Sequence, residues 1–153
     1  MAISENDSRA VEGSRINRLA ILQIKQRLDA AGVTFLLLYI PTKEHVYEPL
    51  ARGRFTDDRH LTALWESERR LKRALQEFCE ENGVRFVDST DALRDAVERR
   101  MSPYNDNLEV AIIGADGHPN ANGYRAIATA VNEAIARTGV KESNMRTPNE
   151  SRP

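Results

Sequence analysis

The feature that most constrains the fold is an uninterrupted run of apolar, β-branched and aromatic residues at positions 33–40. A strand without a polar face suits a parallel sheet that helices cover on both sides. Apolar residues recur at helical spacing before this run, in residues 14–31, and after it, in residues 57–82. A second short apolar segment at residues 84–87 predicts another strand. This alternation predicts a layered α/β fold with a small parallel sheet.

Capping signals place the ends of these elements. Gly32 and Gly83 follow the first two helical patterns, as glycine commonly does at a helix C-terminus. Ser89 or Thr90 is the expected N-cap of a further helix that runs to about residue 100. A short strand is also predicted at residues 110–113.

The chain divides into a patterned domain and two unpatterned ends. Residues 1–13 have no period and predict a flexible arm, whereas residues 140–153 are polar, contain proline and predict a disordered tail. The domain therefore spans residues 14–139. Its last helix has an apolar stripe at Tyr124, Ile127, Ala128, Val131 and Ile135.

Composition excludes several classes of function. The 22 basic and 23 acidic side chains nearly balance, which argues against a nucleic-acid or anionic membrane partner. Cys79 is the only cysteine, lies in an apolar helical pattern and is predicted to be in or near the core. The three histidines and one cysteine have no recognised ligand spacing, so neither a metal nor a cofactor is expected. With no apolar run at the start and none long enough to cross a bilayer, the chain as written is expected to be cytoplasmic and to lack a membrane span.

A carboxylate precedes an imidazole by two residues at Asp116 and His118. A neutral imidazole accepts protons well near pH 7, and it does so best when an acceptor fixes its tautomer and direction. Gly117 allows a sharp turn between the two side chains, and Pro119 disfavours helix at His118. The pattern predicts a general base and its orienting group in a loop, although the same residues also make an ordinary turn and helix cap.

This stretch, with Asn120, Gly123 and Tyr124, resembles the last sequence block of the SGNH/GDSL hydrolases. The segment Pro-Thr-Lys-Glu-His-Val-Tyr at 41–47 resembles a branch of that family linked to O-acetylation of polysaccharides. The resemblance covers about residues 14–137. It implies a three-layer α/β/α, flavodoxin-like SGNH domain and a Ser–His–Asp site for an ester or acetylated carbohydrate substrate.

The family's nucleophile lies in a Gly-Asp-Ser block, and no such block occurs in this sequence. The resemblance therefore implies a truncated or inactive domain that is incomplete at its N-terminus, with Asp116 and His118 as its catalytic residues and an unknown nucleophile. A missing N-terminal part that carried a signal would make the protein periplasmic or extracellular. Asn6 is a weak match to the family's oxyanion block, and Ser89, at the end of a predicted strand, is a remote alternative nucleophile.

Two other readings stay open. Lys43, Glu44 and Tyr47 follow the carboxyl end of a predicted strand, where α/β sheets bind ligands, but they also suit a capped helix start. The second hypothesis for the whole chain is a non-catalytic binding or assembly module on the same frame. Two or three strands leave a hydrophobic sheet edge exposed, which predicts self-association.

Overall fold

The computed structural model describes residues 7–52, 58–104 and 117–137. They form six helices and two strands in an alternating order. In chain order the elements are α1 (Ser8–Ala30), β1 (Leu36–Tyr39), α2 (Lys43–Val46), α3 (Glu48–Arg52), α4 (Arg59–Glu81), β2 (Arg85–Asp88), α5 (Thr90–Glu98) and α6 (Ala121–Arg137). The predicted strand at 110–113, the tail at 140–153 and Asn6 lie outside the described residues.

The two strands pair in parallel, as predicted, with Leu37 opposite Phe86 and Leu38 opposite Val87. Neighbouring residues of a strand point to opposite faces, and Leu37 and Leu38 accordingly join two different core clusters. Within the described residues the protein is therefore a mixed α/β fold with helices against both faces of a small parallel sheet.

One cluster lies between the sheet and helices α1 and α4, around Phe78, Cys79 and Val84. The other lies between the sheet and helices α2, α5 and α6, around Val46, Leu93, Tyr104 and Ile127. Cys79 is fully buried, which confirms its predicted core position.

The predicted full burial of residues 33–40 is wrong. All four residues of β1 are only half-buried, and Val33 and Ile40, which lie outside the strand, are 49% and 44% exposed. The strand proper is shorter than the apolar run, and within the described residues a two-stranded sheet gives each strand a single neighbour. The helices consequently cover the middle of residues 33–40 better than the two ends of this run.

Helix α1 begins at Ser8, so residues 8–13 are helical rather than part of a flexible arm. Asp7 caps the helix, since its carboxylate accepts a hydrogen bond from the Arg9 backbone N–H at 2.9 Å. The helix contacts the core through Ile21 and Leu22 near its C-terminal end, whereas Ile16 is 53% exposed. The sequence period predicted the helix correctly but placed its start at residue 14 and not at Ser8.

The burial of α4 and α6 differs in part from what apolar periodicity alone predicts. In α4 the buried line includes Trp65 and Glu68, while Leu71 is 59% exposed. In α6 Ile127 is buried as predicted, but Tyr124 is 57% exposed. In both helices the buried line includes residues that a count of apolar side chains omits. Trp65 itself is 2% exposed and packs in the core.

Both predicted glycine stops are confirmed, because Gly32 and Gly83 have φ values of 67° and 61° that favour glycine. In the part of the chain that the structure describes, no helix combines the length and apolar character needed to span a bilayer.

Candidate functional site

The turn that carries His118 lies beyond the carboxyl end of β1. Pro119 forms an antiparallel bridge with Tyr104, whose hydroxyl donates a hydrogen bond to the Pro41 carbonyl at 3.4 Å. Tyr104 is 1% exposed, and burial above all raises the pKa of its hydroxyl to about 12, so it stays protonated as a donor. His118 itself is exposed, whereas Tyr104, which holds the turn, is buried.

Asn120 holds the turn in place with both ends of its amide. Its Nδ2 donates to the carbonyls of Ser102 at 3.0 Å and Tyr104 at 2.8 Å. Its Oδ1 accepts from the backbone N–H groups of Asn122 at 2.9 Å and Gly123 at 3.1 Å, which caps helix α6. One side chain therefore fixes both the loop before the turn and the helix after it.

Gly123 lets the loop at Pro103 approach α6 closely. A Cβ at this position would lie 2.3 Å from the Pro103 carbonyl oxygen and 2.7 Å from the Pro119 Cβ. Only glycine fits without displacement of backbone. The pattern Pro119-Asn120-x-x-Gly123 thus has a structural explanation for each of its named residues, and that explanation does not involve His118.

Asp116 lies outside the described residues, so the predicted Asp116–His118 pair stays a prediction. His118 directly precedes Pro119, whose bridge to Tyr104 fixes the position of the turn. Within the described residues, no group of three or more His, Cys, Asp or Glu side chains is arranged to hold a metal ion. The expectation of no metal and no cofactor also stays a prediction.

The segment that follows β1 is fixed by the buried carboxylate of Glu68. Glu68 accepts hydrogen bonds from the Tyr39 hydroxyl at 2.8 Å, the Thr42 N–H at 2.8 Å and the Thr42 hydroxyl at 2.5 Å. The Thr42 hydroxyl oxygen also accepts from the His45 N–H at 3.3 Å, so Thr42 caps α2 and the capped helix start is confirmed. Burial, more than any neighbouring charge, raises the pKa of Tyr39, which keeps this hydroxyl a donor.

Tyr47 joins this segment to the His118 turn. Its hydroxyl lies 3.0 Å from Ser102 Oγ, and its ring centroid lies 6.0 Å from that of Tyr104. The Glu44 carbonyl accepts a hydrogen bond from the Trp65 indole at 3.0 Å. Residues 41–47 and the His118 turn therefore both contact the loop at residues 102–104.

Ser89 is not an accessible nucleophile, and that alternative is wrong. Its side chain is fully buried and its hydroxyl donates to the Tyr39 carbonyl at 2.9 Å, which ties the end of β2 to β1. Ser89 occupies the N-cap position of α5, but Asp88 supplies the cap by accepting from the Thr90 N–H at 2.8 Å.

The sequence did not reveal a buried ionic cluster around Glu48, which is 5% exposed. Its Oε1 accepts from Arg52 Nε at 2.8 Å and from Arg69, and its Oε2 lies 3.5 Å from Arg94. The i,i+4 spacing of Glu48 and Arg52 is visible in the sequence. The approach of α4 and α5 to Glu48 arises only in the folded chain.

His45 is buried beside this carboxylate, with its Nδ1 3.6 Å from Glu48 Oε2. Burial is the main influence on its imidazole and lowers its pKa, so His45 is neutral at pH 7. Burial alone would raise the pKa of Glu48, but the hydrogen bonds from Arg52 and Arg69 outweigh it and lower that pKa. The cluster therefore holds one stable negative charge among three guanidinium groups.

Comparison of the whole chain with known proteins gave no family assignment. No protein-family model, curated protein or solved structure matches it.

Proposed function

We propose that the chain carries the general-base part of an SGNH-type ester hydrolase or acyltransferase, with an ester or an acetylated carbohydrate as substrate. The observation that carries this proposal is the position of His118. It is exposed at the carboxyl edge of the parallel sheet, on a turn held by Tyr104 and Asn120. Ligands of α/β folds bind at this edge.

In the proposed reaction, a serine hydroxyl attacks the ester carbonyl while His118 accepts the hydroxyl proton. Asp116 holds the imidazole in the tautomer whose other nitrogen accepts the proton. The alkoxide of the ester leaves with the proton from His118, and the acyl group stays on the serine. Water, or a sugar hydroxyl in the transferase version, then attacks the acyl-enzyme with the same assistance and releases the serine.

The serine and the oxyanion donors are the components that this chain's sequence does not supply in a recognised block. We propose that a complementing chain or segment contributes them. The burial of Ser89 supports this view, because it removes the local candidate that the sequence offered.

Fluorophosphonate labelling tests the assignment, with peptide mapping of any adduct. We expect no labelled serine in the 153-residue chain alone. With a serine-bearing partner chain we expect one labelled serine, lost in His118→Ala and kept in the matched control His60→Ala, which removes an exposed histidine of α4.

Labelling that persists in His118→Ala would overturn the role of His118. A His118-dependent adduct on the chain alone would support the enzyme but overturn the need for a complementing serine.

A further inference from the structure

A cavity lies apart from the His118 turn, between α3, α4 and α5. Its volume is about 540 Å³. Five cationic side chains line it, together with the single carboxylate of Glu48: these are Arg52, Arg69, Lys72, Arg73 and Arg94. The chain as a whole is nearly neutral, so this is a local concentration of positive charge.

The cavity's own acidic groups do not balance that charge. Arg52, Arg69 and Arg94 share the carboxylate of Glu48, which supplies one negative charge to three guanidinium groups. Lys72 has a separate partner, Asp88, at 2.9 Å. An anion that entered the cavity would therefore meet guanidinium groups with unspent hydrogen-bonding capacity.

Two buried polar atoms beside the carboxylate also lack hydrogen bonds. His45 Nδ1 and Arg94 Nε are shielded from solvent and have no hydrogen-bond partner. His45 as a whole is only 2% exposed, and its Nδ1 lies next to Glu48 Oε2 at the cavity wall. Buried polar atoms are normally satisfied, so these two leave hydrogen-bonding capacity at the cavity wall that a bound ligand or an ordered water can take up.

A purely structural role explains only part of this arrangement. Glu48 does fasten α3 to α4 and α5 through its arginines, as an ordinary ion-pair cluster would. That role does not require the additional cation Arg73, nor a cavity many times larger than a water molecule.

We propose that this cavity binds a phosphate group, as inorganic phosphate or as the phosphate monoester of a small molecule. The cations come from three helices, and a phosphate dianion has more charge and more acceptor oxygens to share among them than a carboxylate monoanion has. Guanidinium groups bind phosphate oxygens through paired hydrogen bonds. The volume exceeds that of phosphate alone and leaves room for the group that a monoester carries.

The proposal is independent of the ester chemistry at His118, because the cavity is lined by residues from α2, α3, α4 and α5 and not by the turn. Isothermal titration calorimetry of the full chain tests it, at constant ionic strength. The probes are inorganic phosphate and glycerol 3-phosphate, with sodium acetate as the carboxylate control.

We expect saturable binding of at least one phosphate probe, and no comparable binding of acetate. Arg73→Gln is the principal variant because Arg73 is exposed, so its replacement does not disturb the core. We expect it to raise the Kd about tenfold, the loss of one charge-assisted contact. Arg69→Gln should raise it further, and the matched control Arg85→Gln, which removes an exposed arginine of β2 outside this cavity, should leave it unchanged.

A tighter Kd for glycerol 3-phosphate than for inorganic phosphate would identify a monoester as the ligand, and the reverse order would identify the free ion. The proposal is overturned if neither phosphate probe binds saturably, if acetate binds as well as phosphate, or if Arg73→Gln and Arg85→Gln have equal effects. Arg73→Gln keeps the test decisive even if Arg69→Gln does not fold.

Discussion

At the scale of single residues, two glycines that lie in described helices have opposite constraints. Gly123 lies where a Cβ would overlap the Pro103 carbonyl oxygen, whereas a Cβ at Gly13 would meet nothing within 4 Å. We expect Gly123→Ala to lower the free energy of unfolding by about 1–3 kcal/mol, the usual cost of overpacking. Gly13→Ala should instead leave it unchanged or raise it by up to about 1 kcal/mol, because alanine favours helix.

Urea unfolding of both variants, followed by circular dichroism, measures these changes. Equal effects of the two substitutions would contradict the close approach of the Pro103 loop to α6.

His45 gives the fold a dependence on pH. Its pKa is lowered in the folded state, chiefly by burial, from an ordinary value of 6.5. The unfolded chain then binds more protons than the folded one as the pH falls below about 6.5, so acidification from pH 7.5 to 5.5 should lower the free energy of unfolding. The stability is fully present above the ordinary pKa and is lost below it.

Urea unfolding at several pH values measures this slope, with His45→Gln and His60→Gln as a matched pair. The slope should flatten in His45→Gln and persist in His60→Gln, because His60 is exposed. An unchanged slope in His45→Gln would assign the acid sensitivity to other groups.

At the scale of elements, periodicity and caps predicted most of the helices and both described strands. Asp58, Gly32 and Gly83 mark helix ends through local chemistry that the sequence displays directly. The buried faces were harder, because Glu68 in α4 and Gly123 in α6 occupy core positions for reasons that only a neighbouring element creates. The spacing of apolar residues therefore predicted where the helices lie along the chain better than it predicted which of their faces is buried.

The start of α6 depends on Asn120 more than on any other side chain. Asn120→Ala removes the cap and both bonds to the preceding loop, and should lower the free energy of unfolding by about 2 kcal/mol. Asn120→Asp keeps an oxygen for the cap but loses the amide donors, so an intermediate loss is expected. The neighbouring Asn122→Ala serves as the control. The side-chain amide of Asn122 makes only a long contact of 3.5 Å with the Ser102 carbonyl, so its removal should cost less.

Hydrogen exchange of the Asn122 and Gly123 amides resolves the two contributions. Both amides should exchange faster in Asn120→Ala than in Asn120→Asp. If Asn122→Ala is as destabilising as Asn120→Ala, then the cap does not govern this turn.

At the scale of the whole molecule, the two candidate sites differ in how far the sequence revealed them. The His118 turn is local, and its Asn and Gly residues could be assigned to a turn and cap from the chain alone. The cationic cavity combines Arg52, Arg69 and Arg94 from three helices, each of which reads as an ordinary surface charge in its own segment. Such a site forms only in the folded chain, so no sequence motif indicates it.

Glu48 connects that cavity to the stability of the fold. Glu48→Gln leaves Arg52, Arg69 and Arg94 without their shared carboxylate, and should lower the free energy of unfolding by about 2 kcal/mol. This figure is below the cost of breaking a fully buried pair, because the guanidinium groups reach solvent. Glu12→Gln, at an exposed helical pair with Arg15, should have no measurable effect.

Inorganic phosphate should reverse part of the Glu48→Gln defect, since a bound dianion replaces the charge that the substitution removes. Thermal unfolding with and without phosphate, at constant ionic strength, measures this rescue. A ligand that binds only the folded state stabilises it by mass action. Because the bound dianion also replaces the charge lost in Glu48→Gln, the rise in Tm should be larger in this variant than in the unmodified chain. Equal rises in both would mean that phosphate acts elsewhere, and that Glu48 serves only to fasten the helices together.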